Sequence, residues 1–154
     1  MFKSEKVKEL ESWAPVKVKK QQQYERKMYK QDRKRIVRGN IYDVNLGQNL
    51  GHEIDKRRPA LVISNQAYNN SPNGMATIIP LTKDIVDDES GHPLYNFHYI
   101  LRKEQFNFLA CDSTLELDQI RAVSRKRIDS GWVIGSIDES TLDRIQQKLS
   151  SFFL

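Results

Sequence analysis

The chain has a single cysteine, Cys111, among its 154 residues. A lone cysteine closes no internal disulfide and cannot build a cysteine-rich zinc site. It suits a reducing compartment, so the cytoplasm is the expected location. Long apolar runs are missing too. None approaches the roughly 18 residues that a membrane span needs, so no membrane partner is expected. The early lysines precede no apolar stretch, and a secretory leader is not expected either. Histidine is scarce: His52, His92 and His98 are the whole supply. Nothing in this inventory asks for a metal or another cofactor, and none is expected. No segment repeats another.

What is present fits one globular domain with an appendage. A chain of this length buries a real core. The charge is unevenly placed. Residues 1–36 hold 12 Lys/Arg against 5 Asp/Glu, a net +7, while the remaining 13 and 15 give −2. The high pI therefore belongs to the N-terminal arm. Such an arm suits a polyanionic partner, and it equally suits a solvated tail. Ser4 is placed to cap a short helix carrying Val7, Leu10 and Trp13, with Pro15 as its end. Beyond it come Lys19-Lys20, three glutamines, Tyr24, Met28, Tyr29 and the cluster Arg33-Lys34-Arg35. That apolar stripe is too thin to anchor a core helix. Residues 1–35 read as a basic helical or disordered extension, and 36–154 as the domain.

The domain reads as strands. Ile36 to Leu46 alternates, and Arg58 to Asn65 is a short apolar run. Tyr68 to Gly74 is dense in turn formers. Met75–Thr82, Phe97–Arg102, Ser113–Ser124 and Trp132–Ile137 supply further strands. The last segment is a clear helix, with Leu142, Ile145, Leu149 and Phe152 at helical spacing. Ser136 with Glu139 fits a capping box, and Asp138 competes as the cap. The fold class is mainly β: a small, strongly bent antiparallel barrel of five to six strands with a C-terminal helix packed on it.

Four segments carry a family resemblance. They are Arg38-Gly39-Asn40-Ile41-Tyr42; Gly51-His52-Glu53 with Arg58-Pro59-Ala60-Leu61-Val62-Ile63; Tyr68-Asn69-Asn70 with Ile79-Pro80-Leu81-Thr82; and Asp112-Ser113 with Leu117-Asp118-Gln119-Ile120-Arg121 and Arg127. In this order and spacing they resemble the MazF/PemK/Kid family of toxins from type II toxin–antitoxin systems, over about residues 36–153. The Gly-His-Glu version is similar to the Kid branch. The resemblance implies an SH3-like, MazF/CcdB-like barrel that forms a homodimer, in bacteria or on their phages and plasmids. It implies metal-independent, sequence-specific cleavage of single-stranded mRNA by 2′-hydroxyl attack, leaving 2′,3′-cyclic phosphate and 5′-hydroxyl ends. It also implies a cognate MazE/PemI-like antitoxin that covers the RNA groove. The first 36 residues have no counterpart in the short family members.

Such cleavage needs help removing the 2′-hydroxyl proton, holding charge on the phosphorane and protonating the leaving oxygen. Acid–base help is worth about 10²–10⁴-fold, and a fixed donor about 10²–10³-fold. Arg58, stiffened by Pro59, has a fork that suits a phosphate. Its guanidinium stays protonated, so clamping and proton donation suit it better than a base role. Thr82 matches the family's catalytic threonine, with a hydroxyl for a non-bridging oxygen. His52 is a candidate because histidine as a residue type can serve as acid or base. Glu53 can take a proton or orient Arg58. Asp118 matches an aspartate used as base in the Kid branch, but Glu116 stands where that branch has an arginine. Which of His52, Glu53 and Asp118 is the base stays open. Gln119 and Arg121, alternating on the fifth strand, are candidate RNA contacts. Asn69 and Asn70 are too, although turn chemistry explains them equally well. His92 and His98 match no family position.

Two alternatives use the same barrel without cutting RNA. One is a gyrase-inhibiting, CcdB-like toxin, whose C-terminal tryptophan-led contact is missing from the ending Ser150-Ser151-Phe152-Phe153-Leu154. The other is a non-catalytic nucleic-acid-binding module worked by the basic arm.

Overall fold

A seven-stranded antiparallel sheet forms when short apolar runs pair through the turns between them. The computed structural model describes residues 3–27 and 35–154. Met28, Tyr29, Arg33 and Lys34 of the basic arm lie outside them. The strands are β1 (Asn40–Asn45), β2 (Arg57–Val62), β3 (Met75–Thr82), β4 (His98–Leu101), β5 (Ser113–Glu116), β6 (Arg121–Ser124) and β7 (Ile128–Ser136). The helices are α1 (Glu5–Lys27), α2 (Gln66–Asn69) and α3 (Glu139–Phe153). The strand order is β4-β5-β3-β2-β1-β7, with β6 also paired to β3. The path stays open at β4 and β7 among the described residues, so the fold is barrel-like without closing. Register shifts between β1 and β7 at Tyr42 mark bulges, which bend a strand.

Seven strands replace the five or six expected, because the run Ser113–Ser124 divides. Leu81↔Leu115 and Thr82↔Thr114 pair β3 with β5, whereas Ile78↔Arg121 begins its pairing with β6. The first register, continued, would set Ile78 against Asp118, so three residues are displaced. They form a 3₁₀ turn, Leu117–Gln119, held by Ile120 N–H donating to the Leu117 carbonyl at 3.3 Å. Alternation alone cannot reveal this insertion, since Leu115 and Leu117 both point into the core.

β2 and β3 read as continuous apolar runs because both faces are covered. Leu61, Ile79, Leu81 and Leu115 belong to one buried cluster, and Ala60, Val62, Ala76 and Ile78 to another. α3 closes the first, adding the buried Leu142 and Ile145 and the partly buried Leu149. Each fully buried side chain of this size contributes roughly 1.5–3 kcal/mol. The cap of α3 is Asp138, not Ser136: its carboxylate accepts from Thr141 N–H at 3.0 Å. Ser136 instead donates its hydroxyl to Asn40 at 2.6 Å. Gly39, at φ +86°, lets the Leu142 methyl approach to 3.0 Å of where a Cβ would stand. A side chain there would meet both strain and the helix.

α1 does not end at Pro15 but runs through it to Lys27. Proline removes one i→i−4 bond, and contacts with the loop between β1 and β2 hold the helix on its N-terminal side. The Trp13 indole lies against Gly47, in the space that a Cβ at that residue would fill. Lys6 pairs with the Asp55 carboxylate and donates to Gln48 at 3.0 Å. Ser4 caps the helix as expected, its hydroxyl accepting from Val7 N–H at 3.2 Å.

Candidate active site

Arg58 is the second residue of β2, and Thr82 the last of β3. The pairing of these strands runs from Val62↔Ile78 to Ala60↔Pro80. Continued two positions, that register sets Arg58 across from Thr82 on one face. Both line a cavity of about 520 Å³ with Lys56, Lys83, Asp84 and Phe108. A volume in this range suits a small ligand or a few nucleotide groups.

The approach to Arg58 is fixed by an unusual backbone. Lys56 has φ +66°, in the left-handed region. That conformation costs a non-glycine residue about 1–2 kcal/mol. It is held by Lys56 N–H donating to Gly47 at 2.6 Å and by Leu46 N–H donating to Lys56 at 2.9 Å. The turn aims the Asp55 carbonyl at Arg58, whose Nε donates to it at 2.7 Å. The two terminal guanidinium nitrogens then have no hydrogen-bond partner among the described residues. A half-buried fork with open donors is a ready clamp for a phosphate. Thr82 is held loosely: its hydroxyl donates to Asp84 Oδ2 at 3.4 Å and accepts from Asp84 N–H at 3.3 Å. These lengths exceed those of strong hydroxyl hydrogen bonds, so the hydroxyl is free to turn toward a ligand.

Carboxylates gather beside the arginine. Thr82 pairs with Thr114, and Glu116 with His98. Alternation therefore puts Thr82, Thr114 and Glu116 on one face. Burial pushes the Glu116 carboxyl above its ordinary value; Asp118 adds to the rise, Arg58 opposes it, and Asp84 raises it further. His98 is lowered, chiefly by burial, with Asp118 opposing and Lys148 assisting. Its Nδ1 is buried without a partner among the described residues. Nothing in the sequence singles out His98. Its place opposite Glu116 depends on a strand pairing that local pattern does not encode.

Gln119 draws the preceding loop to this region. Its amide accepts from Ile54 N–H at 3.2 Å and donates to the His52 carbonyl at 3.3 Å. That places the exposed His52 and Glu53 next to the turn bearing the exposed Asp118. The Glu53 carboxylate accepts from Leu50 N–H at 3.1 Å, so it caps its own loop. It makes no ion pair with Arg58; the Asp55 carbonyl orients that residue instead. Gln119 lies on the 3₁₀ turn, not on a strand, and its amide is engaged with the loop.

The remaining candidates lie elsewhere. Arg121 begins β6 and pairs with Ile78, halfway along β3. Asn69 and Asn70 close α2, just before the opposite end of β3. Asn69 corrects the expectation of a base contact. It is fully buried. Its amide donates to the Ser64 carbonyl at 2.9 Å, and its oxygen accepts from the Ser64 hydroxyl. Asn70 is exposed, and its side chain accepts from Gln66 at 3.2 Å. Strand pairing thus sets Arg58, Thr82 and Glu116 on one face toward the Thr82 end of β3, Gln119 ties the loop of His52 and Glu53 to the turn bearing Asp118, and the two asparagines lie apart.

Residues 37–153 match the family described as PemK-like, MazF-like toxin of type II toxin-antitoxin system. Endoribonuclease MazF9 of Mycobacterium tuberculosis (strain ATCC 25618 / H37Rv) is 28% identical over 116 residues, spanning 73% of this chain and 91% of that protein. MazF from Deinococcus radiodurans superposes with a TM-score of 0.60 at 24% identity, covering 77% of this chain and 96% of the other. A MazE-MazF structure from the same organism gives 0.55 at 23% identity, covering 77% and 94%. These superpositions agree with the mainly β, barrel-like fold and terminal helix expected from the sequence. With its β domain matched nearly end to end, the chain belongs to the PemK-like, MazF-like toxin family of type II toxin–antitoxin systems.

Proposed function

We propose that the protein is a metal-independent endoribonuclease that cuts single-stranded mRNA at a short sequence. The observation that carries this reading is the open guanidinium fork of Arg58 across from Thr82, in a cavity also lined by Lys56, Arg57 and Lys83. Cations around one cavity favour a phosphodiester. In the reaction, the substrate's 2′-oxygen bonds to phosphorus as the bond to the 5′-oxygen breaks. A 2′,3′-cyclic phosphate and a 5′-hydroxyl result. Arg58 and the Thr82 hydroxyl hold the charge that develops on the non-bridging oxygens. Asp118, His52 and Glu53 are the candidates for exchanging the protons, and the charge of Asp118 acts on Glu116, which shares the face of Thr82. The name of the mycobacterial relative supports the activity.

Two partners follow from the same reading. A MazE-like antitoxin blocks the site, a pairing supported by the MazE-MazF structure from Deinococcus radiodurans. A second copy of the chain covers the exposed apolar patch of Leu94, Tyr95, Phe153 and Leu154. The cytoplasm is the proposed place of action.

The test uses a long single-stranded RNA in excess EDTA, with 5′ ends mapped by primer extension. Discrete cuts are expected from the wild type, reduced about 10²–10³-fold in Arg58→Ala. Intact RNA with a folded, antitoxin-free wild type would reject the enzyme and leave a binding module or gyrase inhibitor.

A further inference from the structure

Glu116 ends β5 on the same face as Thr82 and beside Arg58. Four elements contribute the charged and titratable groups around it. Arg58 comes from β2, Asp84 from the segment after β3, His98 from β4 and Asp118 from the 3₁₀ turn; Lys148 of α3 acts on His98. Glu116 itself is partly buried. Its carboxyl makes no hydrogen bond or ion pair with any described residue. A partly desolvated carboxyl with open oxygens, next to a phosphate clamp, is placed for proton transfer rather than for holding the fold.

We propose that Glu116 is the proton donor to the departing 5′-oxygen, a role that rests on the endoribonuclease reading above. The 2′-oxygen bonds to phosphorus and the phosphorus–5′-oxygen bond breaks. The Glu116 carboxyl proton passes to the 5′-oxygen, leaving a carboxylate. The proton of the 2′-hydroxyl passes to the Asp118 carboxylate. Solvent then returns both carboxyls to their starting forms. Environment divides the two roles: Glu116 is partly buried, and its neighbour Asp118 is exposed. Burial first, and then the charges of Asp118 and Asp84, raise the Glu116 carboxyl above its ordinary value, a shift toward the acid form that Arg58 opposes. Arg58 then stabilises the carboxylate that donation leaves behind. This chain carries a donor where the Kid-like pattern has an arginine.

The experiment compares Glu116→Gln with the wild type on two versions of one cleavable oligonucleotide. One has the natural 5′-oxygen, and the other a 5′-sulfur at the scissile bond, which departs as thiolate without a proton. On the natural substrate the variant is expected to lose about 10²–10⁴-fold. On the sulfur substrate it is expected to stay within about tenfold of the wild type, because the step that needs an acid is gone. The ratio of the two rates within one preparation cancels any difference in folded fraction. The wild-type rate on the natural substrate falls as pH rises through the Glu116 pKa, and the variant lacks that fall. An equal loss on both substrates overturns the donor role while the nuclease reading stands. A wild type that cuts neither substrate overturns both.

Discussion

The two ends of β3 use similar residues for opposite purposes. At the Met75 end, Asn69 directs both ends of its amide to Ser64, and the Ser64 hydroxyl accepts from Thr77 N–H at 2.9 Å. Arg125 donates to the Asn69 carbonyl. At the Thr82 end, Arg58 anchors one nitrogen and leaves the rest of its fork without a partner among the described residues. Glu116 makes no bond there, and Thr82 only long ones. Buried polar groups that pair with one another hold a fold, whereas positioned groups left open are held for a ligand. A third arginine sharpens the contrast. Arg102 bonds Asp87 at 2.8 Å, Asp112 at 3.1 Å and the Gly91 carbonyl at 2.6 Å, fastening the acidic loop before β4. Arg102 and Arg125 hold structure by what their forks touch, and the open fork of Arg58 is the one proposed for the substrate.

Substitutions at the two ends should separate activity from stability. The largest effect is that of Arg58→Ala on cleavage, with an unfolding free energy within about 1 kcal/mol of wild type; a large stability loss would erase the distinction. Asn69→Ala should do the reverse. It strands the Ser64 hydroxyl and carbonyl and should cost about 2 kcal/mol in urea unfolding, with the cleavage rate per folded molecule unchanged. A specific loss of cleavage would restore Asn69 as an RNA contact. Gln119→Ala removes two tethers of the loop at residues 47–56, so a stability loss of about 1 kcal/mol is expected. Faster amide exchange confined to that loop and a weaker RNA affinity should accompany it. The smallest effect belongs to Asp138→Ala, remote from both ends. The Ser140 and Thr141 hydroxyls, with Thr141 N–H, hold the Asp138 carboxyl at about 2, below its ordinary 3.8. A lowered folded-state value means the unfolded chain takes up the proton first. The cap's contribution is therefore complete above about 3.8 and fades as pH falls toward 2. The gap in urea midpoint between the variant and wild type should narrow across that window.

The strands bearing Arg58 and Thr82 were legible in the sequence because each is a compact apolar run bounded by turn formers. Their junction was legible only through family resemblance, since register across strands leaves no local trace. The division of Ser113–Ser124 was hidden because Leu115 of β5 and Leu117, the first residue of the turn, both lie in the core at alternate positions. That division decides how Asp118 and Gln119 are presented. Glu116 was visible as a departure from the family pattern, but its partial burial beside Arg58 is a tertiary fact. Asn-Asn after a short helix start reads alike for a turn and for a base contact, and the full burial of Asn69 is a tertiary fact. The docking of α1 through Lys6 and Trp13 against Asp55 and Gly47 is likewise a tertiary fact that no helical periodicity reports.

Asp55 belongs to two machines at once. Its carboxylate receives Lys6 from α1, while its main-chain carbonyl receives Nε of Arg58. The basic arm and the phosphate clamp thus share one residue as their common stop. Coupling free energies are reciprocal. A substrate that binds better with α1 docked must, to the same degree, hold α1 against the loop that carries Asp55. A ligand that pulls α1 away must loosen the substrate equally. Whatever coupling exists between the basic arm and the proposed Arg58 clamp therefore runs equally in both directions.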